Sequence, residues 1–463
     1  MKRLSIVLMA VAMMAVAMMA AMPANAKVTK EYQRPSLHMV LLNTDEPTSE
    51  AVADLLPVVN DSWTDYEFPH LYNQFTIPTA VVDGGKPKGN MVELITRYGD
   101  AEKLKTMTME EITELQSLMA GKQYNADLQA RCDSMANEVA HQLIARWFNI
   151  TPDGKYDCDT IFYYACYSAQ QVAAADAAAN TEMGAQLTLF NELMEPTIAN
   201  TYVSFSKLAY YDNEPIAAFV RDLAIAAGFI ADQAGAGGYA SLAATAAAKI
   251  AYEATKNGYS AYTTTLLYRL AWNDSIYNEF SKVLKPTDES NPWTGTVDMA
   301  AFNAMNFNLE LMGIDRCNTV TFPKKDQDDV QLTRRAVHAN INKQLVRLQN
   351  KYEEFKPMVP ILDKQAKFLI ADMGTKESVK EGETFNVIQG KTNANGVTKY
   401  SVIGQVKVQK KGVWDNEVNM AEQADNAAFE GGAMEIQGTK LAGPGLKMAE
   451  VGMFVKRARA KKQ

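Results

Sequence analysis

Four histidines, His38, His70, His141 and His338, are the first side chains to weigh as metal ligands or bases. None has a second His or a Cys at the spacing that a metal needs. His141 and His338 fall on helical segments, where a surface or hydrogen-bonded imidazole is the ordinary role. Asp153-Gly154-Lys155-Tyr156-Asp157-Cys158-Asp159 spaces three carboxylates in a way that invites a calcium reading. It departs from the Asp-x-Asp-x-Asp-Gly pattern with a distal Glu that an EF-hand loop requires, and an Asp-Gly turn explains it. Lys324-Lys325-Asp326 with Asp328-Asp329 reads as charge at a helix start, where the dipole favours the acids. The chain lacks a nucleophile elbow, a P-loop, a dinucleotide fingerprint and His-Glu-x-x-His. A pair of carboxylates suited to glycoside hydrolysis would be a spatial arrangement that spacing does not reveal. Trp63, Tyr66, Tyr72, Trp293 and Trp414 could stack on sugars, although core or turn packing is the usual fate of such rings. The expectation is therefore no catalytic residue, no cofactor and no metal.

Cys132, Cys158, Cys166 and Cys317 complete the reactive inventory. Cys158 and Cys166 stand ~26 Å apart along a strand or ~12 Å along a helix, so they bridge only across a turn. Four buried thiols acting as small apolar groups are the alternative.

Lys2-Arg3, the uncharged run Leu4–Met22 and Ala24-Asn25-Ala26 have the three parts of a cleavable signal peptide. Cleavage after residue 26 leaves 437 residues with 44 basic and 54 acidic side chains. Nucleic acid is disfavoured as a partner, because counterion release needs a clustered cationic surface and only the tail Lys456–Lys462 is basic. The expected location is the periplasm or the outer cell surface.

The elements follow from periodicity. Arg34–Leu42 reads as an opening strand, and the FTIPTAVVD segment as a second one broken by Pro78. Thr108 and Glu111 form a capping box. Leu128, Cys132, Met135, Val139, Leu143, Ile144 and Trp147 stripe the helix beyond it. Residues 160–169 fit a strand or a helix start, and 170–194 a helix. Strands are expected over 201–211 and 260–272 as an antiparallel pair. Between them, 216–258 forms a Gly/Ala-rich helical hairpin whose uncharged runs are shorter than the ~20 residues of a membrane span. A long helix covers 328–355, with Arg334, Arg335, Lys343, Arg347 and Lys351 on its solvated side. From 361 onward short alternating strands and Asn395-Gly396 predict a small antiparallel barrel. The fold class is thus α+β, with helices on a mixed or antiparallel sheet, the hairpin inserted, and a C-terminal β-barrel. The domains are a signal at 1–26, an α/β domain at 27–360 and a barrel at 361–463.

The segments RPSL-x-x-x-LL, TTTLLYRLAWNDS (263–275), LVRLQNKYEEFKPMVPI (345–361), GTKESVKEGETFNVI (374–388) and GVWDN (412–416) resemble a family of uncharacterised, signal-bearing envelope proteins of the Bacteroidota. The order of elements is similar to a TolB-N/CsgG-type α/β module followed by a barrel like the C-terminal domain of the flagellar protein FlgT. Gly374…Val379-Lys380-Glu381-Gly382…Phe385-Asn386-Val387 carries that second likeness. The resemblance implies an envelope location and no assigned activity.

The functional expectation is an exported, non-enzymatic binding or scaffolding protein that contacts another envelope protein or itself. Gly235, Gly237, Gly238 and Ala243 of the hairpin are the candidate oligomer or membrane contacts, since small residues allow close helix approach. A hairpin entering the bilayer and an exported hydrolase are the alternatives.

Overall fold

The computed structural model describes residues 35–43, 47, 49–68, 72–165, 194–231, 239–288, 291–322, 328–355, 358–375, 377, 379–392, 398–415 and 437–458. It is an α+β protein with a mixed sheet and, near the C-terminus, a closed six-stranded antiparallel barrel.

The sheet is organised around β1 (Ser36–Leu42), whose side chains are buried on both faces apart from the half-buried Met39. A strand covered on both sides is apolar at nearly every position, as SLHMVLL is. On one side β1 pairs in parallel with β2 (Asn73–Gln74) and β3 (Val81–Val82). The single strand expected from FTIPTAVVD is therefore two short ones. Pro78 interrupts them, and the Thr79 amide leaves the sheet to bond the Gln142 side chain at 3.1 Å. On the other side β1 runs parallel to β5 (Thr201–Asp212). β5 pairs antiparallel with β6 (Tyr259–Leu270), and β6 with β9 (Leu309–Thr321), which forms the edge.

Helices cover both faces. α1 (Glu50–Thr64) follows β1, with Ser49 accepting from the Val52 amide as its cap. The segment between β3 and the long helix holds α2 (Met91–Tyr98), α3 (Ala101–Lys105) and α4 (Met109–Met119). The box at the start of α4 closes both ways: Thr108 N donates to Glu111 Oε2 at 2.8 Å and Glu111 N to Thr108 Oγ1 at 3.3 Å. α5 (Lys122–Trp147) buries Leu128, Cys132, Val139, Leu143, Ile144 and Trp147 against Val203 and Phe205 of β5 and Leu266 and Tyr268 of β6. Trp147 stacks on Phe75 at 4.2 Å and donates from Nε1 to Thr201 Oγ1 at 3.0 Å.

The opposite face carries α1 and α11 (Asp329–Lys351), which share a core with Leu37, Leu41, Tyr202 and Leu208. The sheet beneath α11 is unusually polar. Gln344 donates to Ser206 at 2.7 Å, Ser206 meets Thr265 at 3.2 Å, and Thr263 donates to the fully buried Asn340 at 2.5 Å. Buried hydroxyls and amides of this kind stay only where they find partners.

Residues 160–165 resolve to helix, as α6 (Asp159–Ala165); the expected helix over 170–194 lies almost entirely outside the described residues. After α6, β5 leads through the hairpin α7 (Asn213–Ala231) and α8 (Tyr239–Thr255) to β6. A separate three-stranded sheet of β4 (Lys155–Asp157), β7 (Leu284–Asp288) and β8 (Asn291–Val297) lies beside α9 (Asp274–Ser281) and α10 (Met299–Ala304).

The barrel closes in the order β10 (Met358–Lys364), β11 (Leu369–Ala371), β14 (Thr439–Ala442), β13 (Thr398–Val408), β12 (Thr384–Thr392), β15 (Phe454–Arg457). Asn395-Gly396 lies outside the described residues, though the strands on either side of it pair antiparallel. The Gly374–Phe385 phrase is a set of closures. The Glu377 carboxylate accepts from the Gly374 amide, and Gly382 turns with φ +76° and bonds Val408 at 3.0 Å. Arg457 inserts 2.7 Å from Glu383 and donates to the Glu377 carbonyl at 3.0 Å.

Candidate functional site

The three described histidines each bond a backbone carbonyl. His38 donates from Nε2 to the Thr79 carbonyl at 2.6 Å, and its burial lowers its pKa. His141 bonds the Asn137 and Phe302 carbonyls at 2.8 and 3.1 Å and packs edge-on against Phe302 and Phe307. His338 donates to the Ser62 carbonyl at 3.0 Å. His70 lies outside the described residues. In the Asp153–Asp159 loop two of the three acids are engaged by close neighbours. A bond from Lys155, then one from Thr151, holds the Asp153 carboxyl down at about 2. Asp157 accepts from the Asn149 amide and from Asp159 N. Among the described residues no group of His, Cys or acids has metal-binding geometry.

Cys132, Cys158 and Cys317 are buried free thiols, and burial pushes Cys132 up to about 12 and Cys317 to about 11. Cys166, the other half of the Cys158 pairing, lies outside the described residues. The aromatics weighed for stacking on sugars are dispersed. Trp63 and Tyr72 are in the core, Trp293 packs edge-on to Phe162, and Trp414 donates to Gln437 at 3.0 Å. A partly open depression is bounded by Ile276, Glu279, Lys282, Val283, Met305 and Phe307, and a Glu279–Lys282 ion pair at 2.5 Å stands at its rim.

The hairpin is the feature that stands apart from this packed body. Its root is tied by Asn213: the side chain donates to the Asn257 carbonyl at 2.8 Å, accepts from Ser260, and its amide bonds Gly258 at 3.0 Å. Gly258 sits at φ +86°, which a glycine adopts without a steric penalty. α7 then buries Phe219 and Ala226 against Leu94, Tyr98, Leu104 and Leu115 of α2, α3 and α4.

α8 packs on α7 through Tyr252. The Arg221 guanidinium stands 4.6 Å over that ring and the Tyr252 hydroxyl donates to Glu214 at 3.3 Å. Arg221 also pairs with its neighbour Asp222 at 2.7 Å, so of the charges flanking the apolar runs Arg221 reaches across the seam between the two helices.

Among the described residues nothing covers the far face of α8. Ala243, Ala246, Ala247, Ile250 and Ala254 recur at three and four residues and are exposed, with Ile250 at 72%. Val220 of α7 is 50% exposed. Of the four small residues singled out in the sequence, Ala243 lies on this face, whereas Gly235, Gly237 and Gly238 lie outside the described residues. Ile250 was missed; it is the one large apolar side chain of the Ala stripe, and that oddity is visible in the sequence. No described helix is long and apolar enough to cross a membrane.

Compared with known protein families and with curated proteins, the chain matches none.

Proposed function

We propose that this is an exported envelope component that works by binding, with the α7–α8 hairpin as its contact arm and the remainder as the frame that presents it. In this reading residues 1–26 direct export, residues 27–360 form the frame and its arm, and 361–463 form a second unit built on the barrel. The supporting observation is the outer face of α8, where a continuous apolar stripe centred on Ile250 has no covering element among the described residues. A contiguous apolar stripe, rather than a single exposed side chain, is the kind of surface that a partner covers. The Asn213 clamp and the Tyr252 seam add to this reading, since they stiffen the arm and so lower the ordering cost of binding. The resemblance to Bacteroidota envelope proteins points to the same compartment.

The test is the mass of the protein by light scattering, with Ile250→Glu and Ala243→Leu beside the parent. Self-association that both changes abolish, with circular dichroism unchanged, supports a second copy as the partner. Flotation of the parent with liposomes, lost in Ile250→Glu, would replace this reading with membrane insertion. Identical mass and no flotation in all three would remove the hairpin as a contact site.

A further inference from the structure

β9 is the open edge of the mixed sheet: β6 pairs along one side, and among the described residues no strand lies along the other. Thirteen residues of unpaired edge would ordinarily template strand addition. The basic residues of α11, expected to be merely solvated, instead reach over this edge. Arg335 Nη2 donates to the Phe322 carbonyl at 2.7 Å, Lys343 Nζ to Asn318 at 2.5 Å, and Lys351 Nζ to Ile314 at 3.0 Å. The three donors are eight residues apart on a helix, ~12 Å each. Their acceptors are four residues apart on a strand, ~13 Å each, so donor and acceptor rows are commensurate. Arg347 fixes the alignment with two bonds to Asp315, at 2.9 and 2.6 Å.

We propose that α11 is a guard for the β9 edge, and that the partner it excludes is the β9 strand of a second copy of this chain. A second copy of this edge meets no charge clash on it. An antiparallel pairing centred on Asn318 sets Arg316 opposite Val320 and Asp315 opposite Thr321, with no like charges facing, and Ile314 opposite Phe322. Val320 and Phe322 are already exposed at the end of the row. The cations remove the carbonyls such a partner would use and place positive charge where its own amides would have to lie. This guard is independent of the hairpin contact.

The experiment compares the mass of the purified protein, in an Ile250→Glu background that removes the hairpin contact, with and without Lys343→Met plus Lys351→Met. A twofold rise in mass with intact circular dichroism is expected. Lys343→Arg plus Lys351→Arg should keep the starting mass. Asn318→Pro added to the Met pair should restore it, because the Asn318 amide shares the outward direction of its carbonyl and is spare in the β6 ladder. An unchanged mass in the Met pair, association that survives Asn318→Pro, or a Met pair that fails to fold would each overturn the guard; the last would make these cations packing groups.

Discussion

Replacing Asn340 with Ala tests whether α11 is held by its polar seam. Asn340 is fully buried, accepts from Thr263 Oγ1 at 2.5 Å, and donates to the Ala261 carbonyl at 2.8 Å and to Thr319 Oγ1 at 3.4 Å. The Cys317 thiol lies 3.6 Å from its Oδ1. Each net bond contributes about 1 kcal/mol, and a buried hydroxyl left without an acceptor costs about 1–3 kcal/mol. Asn340→Ala removes the amide and strands the Thr263 hydroxyl, so the loss should be about 3 kcal/mol. Thr263→Val removes only the donor and should cost about 1 kcal/mol. The double variant should cost at least about 1 kcal/mol less than the two combined, since the hydroxyl is no longer stranded. Urea unfolding followed by tryptophan fluorescence suits the measurement, because Trp63 shares the core of α11, while Trp147 and Trp272 lie in the core on the other face of the same sheet. A loss below about 1 kcal/mol for Asn340→Ala, or two effects that simply add, would refute a coupled seam.

Gly121→Ala should destabilise by about 2–3 kcal/mol: its φ is +66°, which costs roughly 1–2 kcal/mol for a side chain, and the new Cβ, 2.0 Å from the Arg316 guanidinium, would displace that flexible group from its bonds to the Gly121 carbonyl and Asn125, at about 1 kcal/mol. Gly85→Ala, at φ +65° with open space around it, should show the backbone part alone, and equal losses in the two would discount the clash. Burial lowers the pKa of both His38 and His338, so the folded state keeps them neutral while the unfolded state takes up protons below 6.5. Stability should therefore fall as pH drops below 6.5, at up to about 1.4 kcal/mol per group per pH unit, and be independent of these groups above it. Urea midpoints of His38→Asn and His338→Gln that keep the parent's slope between pH 6.5 and 5.5 would refute this.

The elements that periodicity defines were legible. The α5 stripe, the β5–β6 pair, the capping box at Thr108 and the alternating strands of the barrel each repeat a local pattern, and each forms where that pattern lies. Partnerships were not legible, because they join distant segments. Nothing near Arg34–Leu42 indicates a parallel neighbour at Thr201, and Pro286 and Pro292 hid the β7–β8 hairpin behind residues that usually break strands. Arg335, Lys343, Arg347 and Lys351 have the spacing of a solvated face, and only the position of β9 reveals what they bond. The hairpin was visible as composition, but its outward side depended on which residues of α8 turned toward Tyr252's seam.

The parallel pairing of β1 with β5 also bears on the order in which the molecule is made. Ser36 aligns with Thr201, so the first strand of the sheet waits for 165 further residues before its central neighbour exists. Until then α1 and α5 have no finished sheet to cover. Closing so distant a contact is slow, since the loop must be ordered before the pairing stabilises it. On a ribosome adding about 5–20 residues each second, the amino-terminal part stays uncommitted for roughly ten seconds or more. Throughout that interval the chain can still be threaded, held by a chaperone or cut.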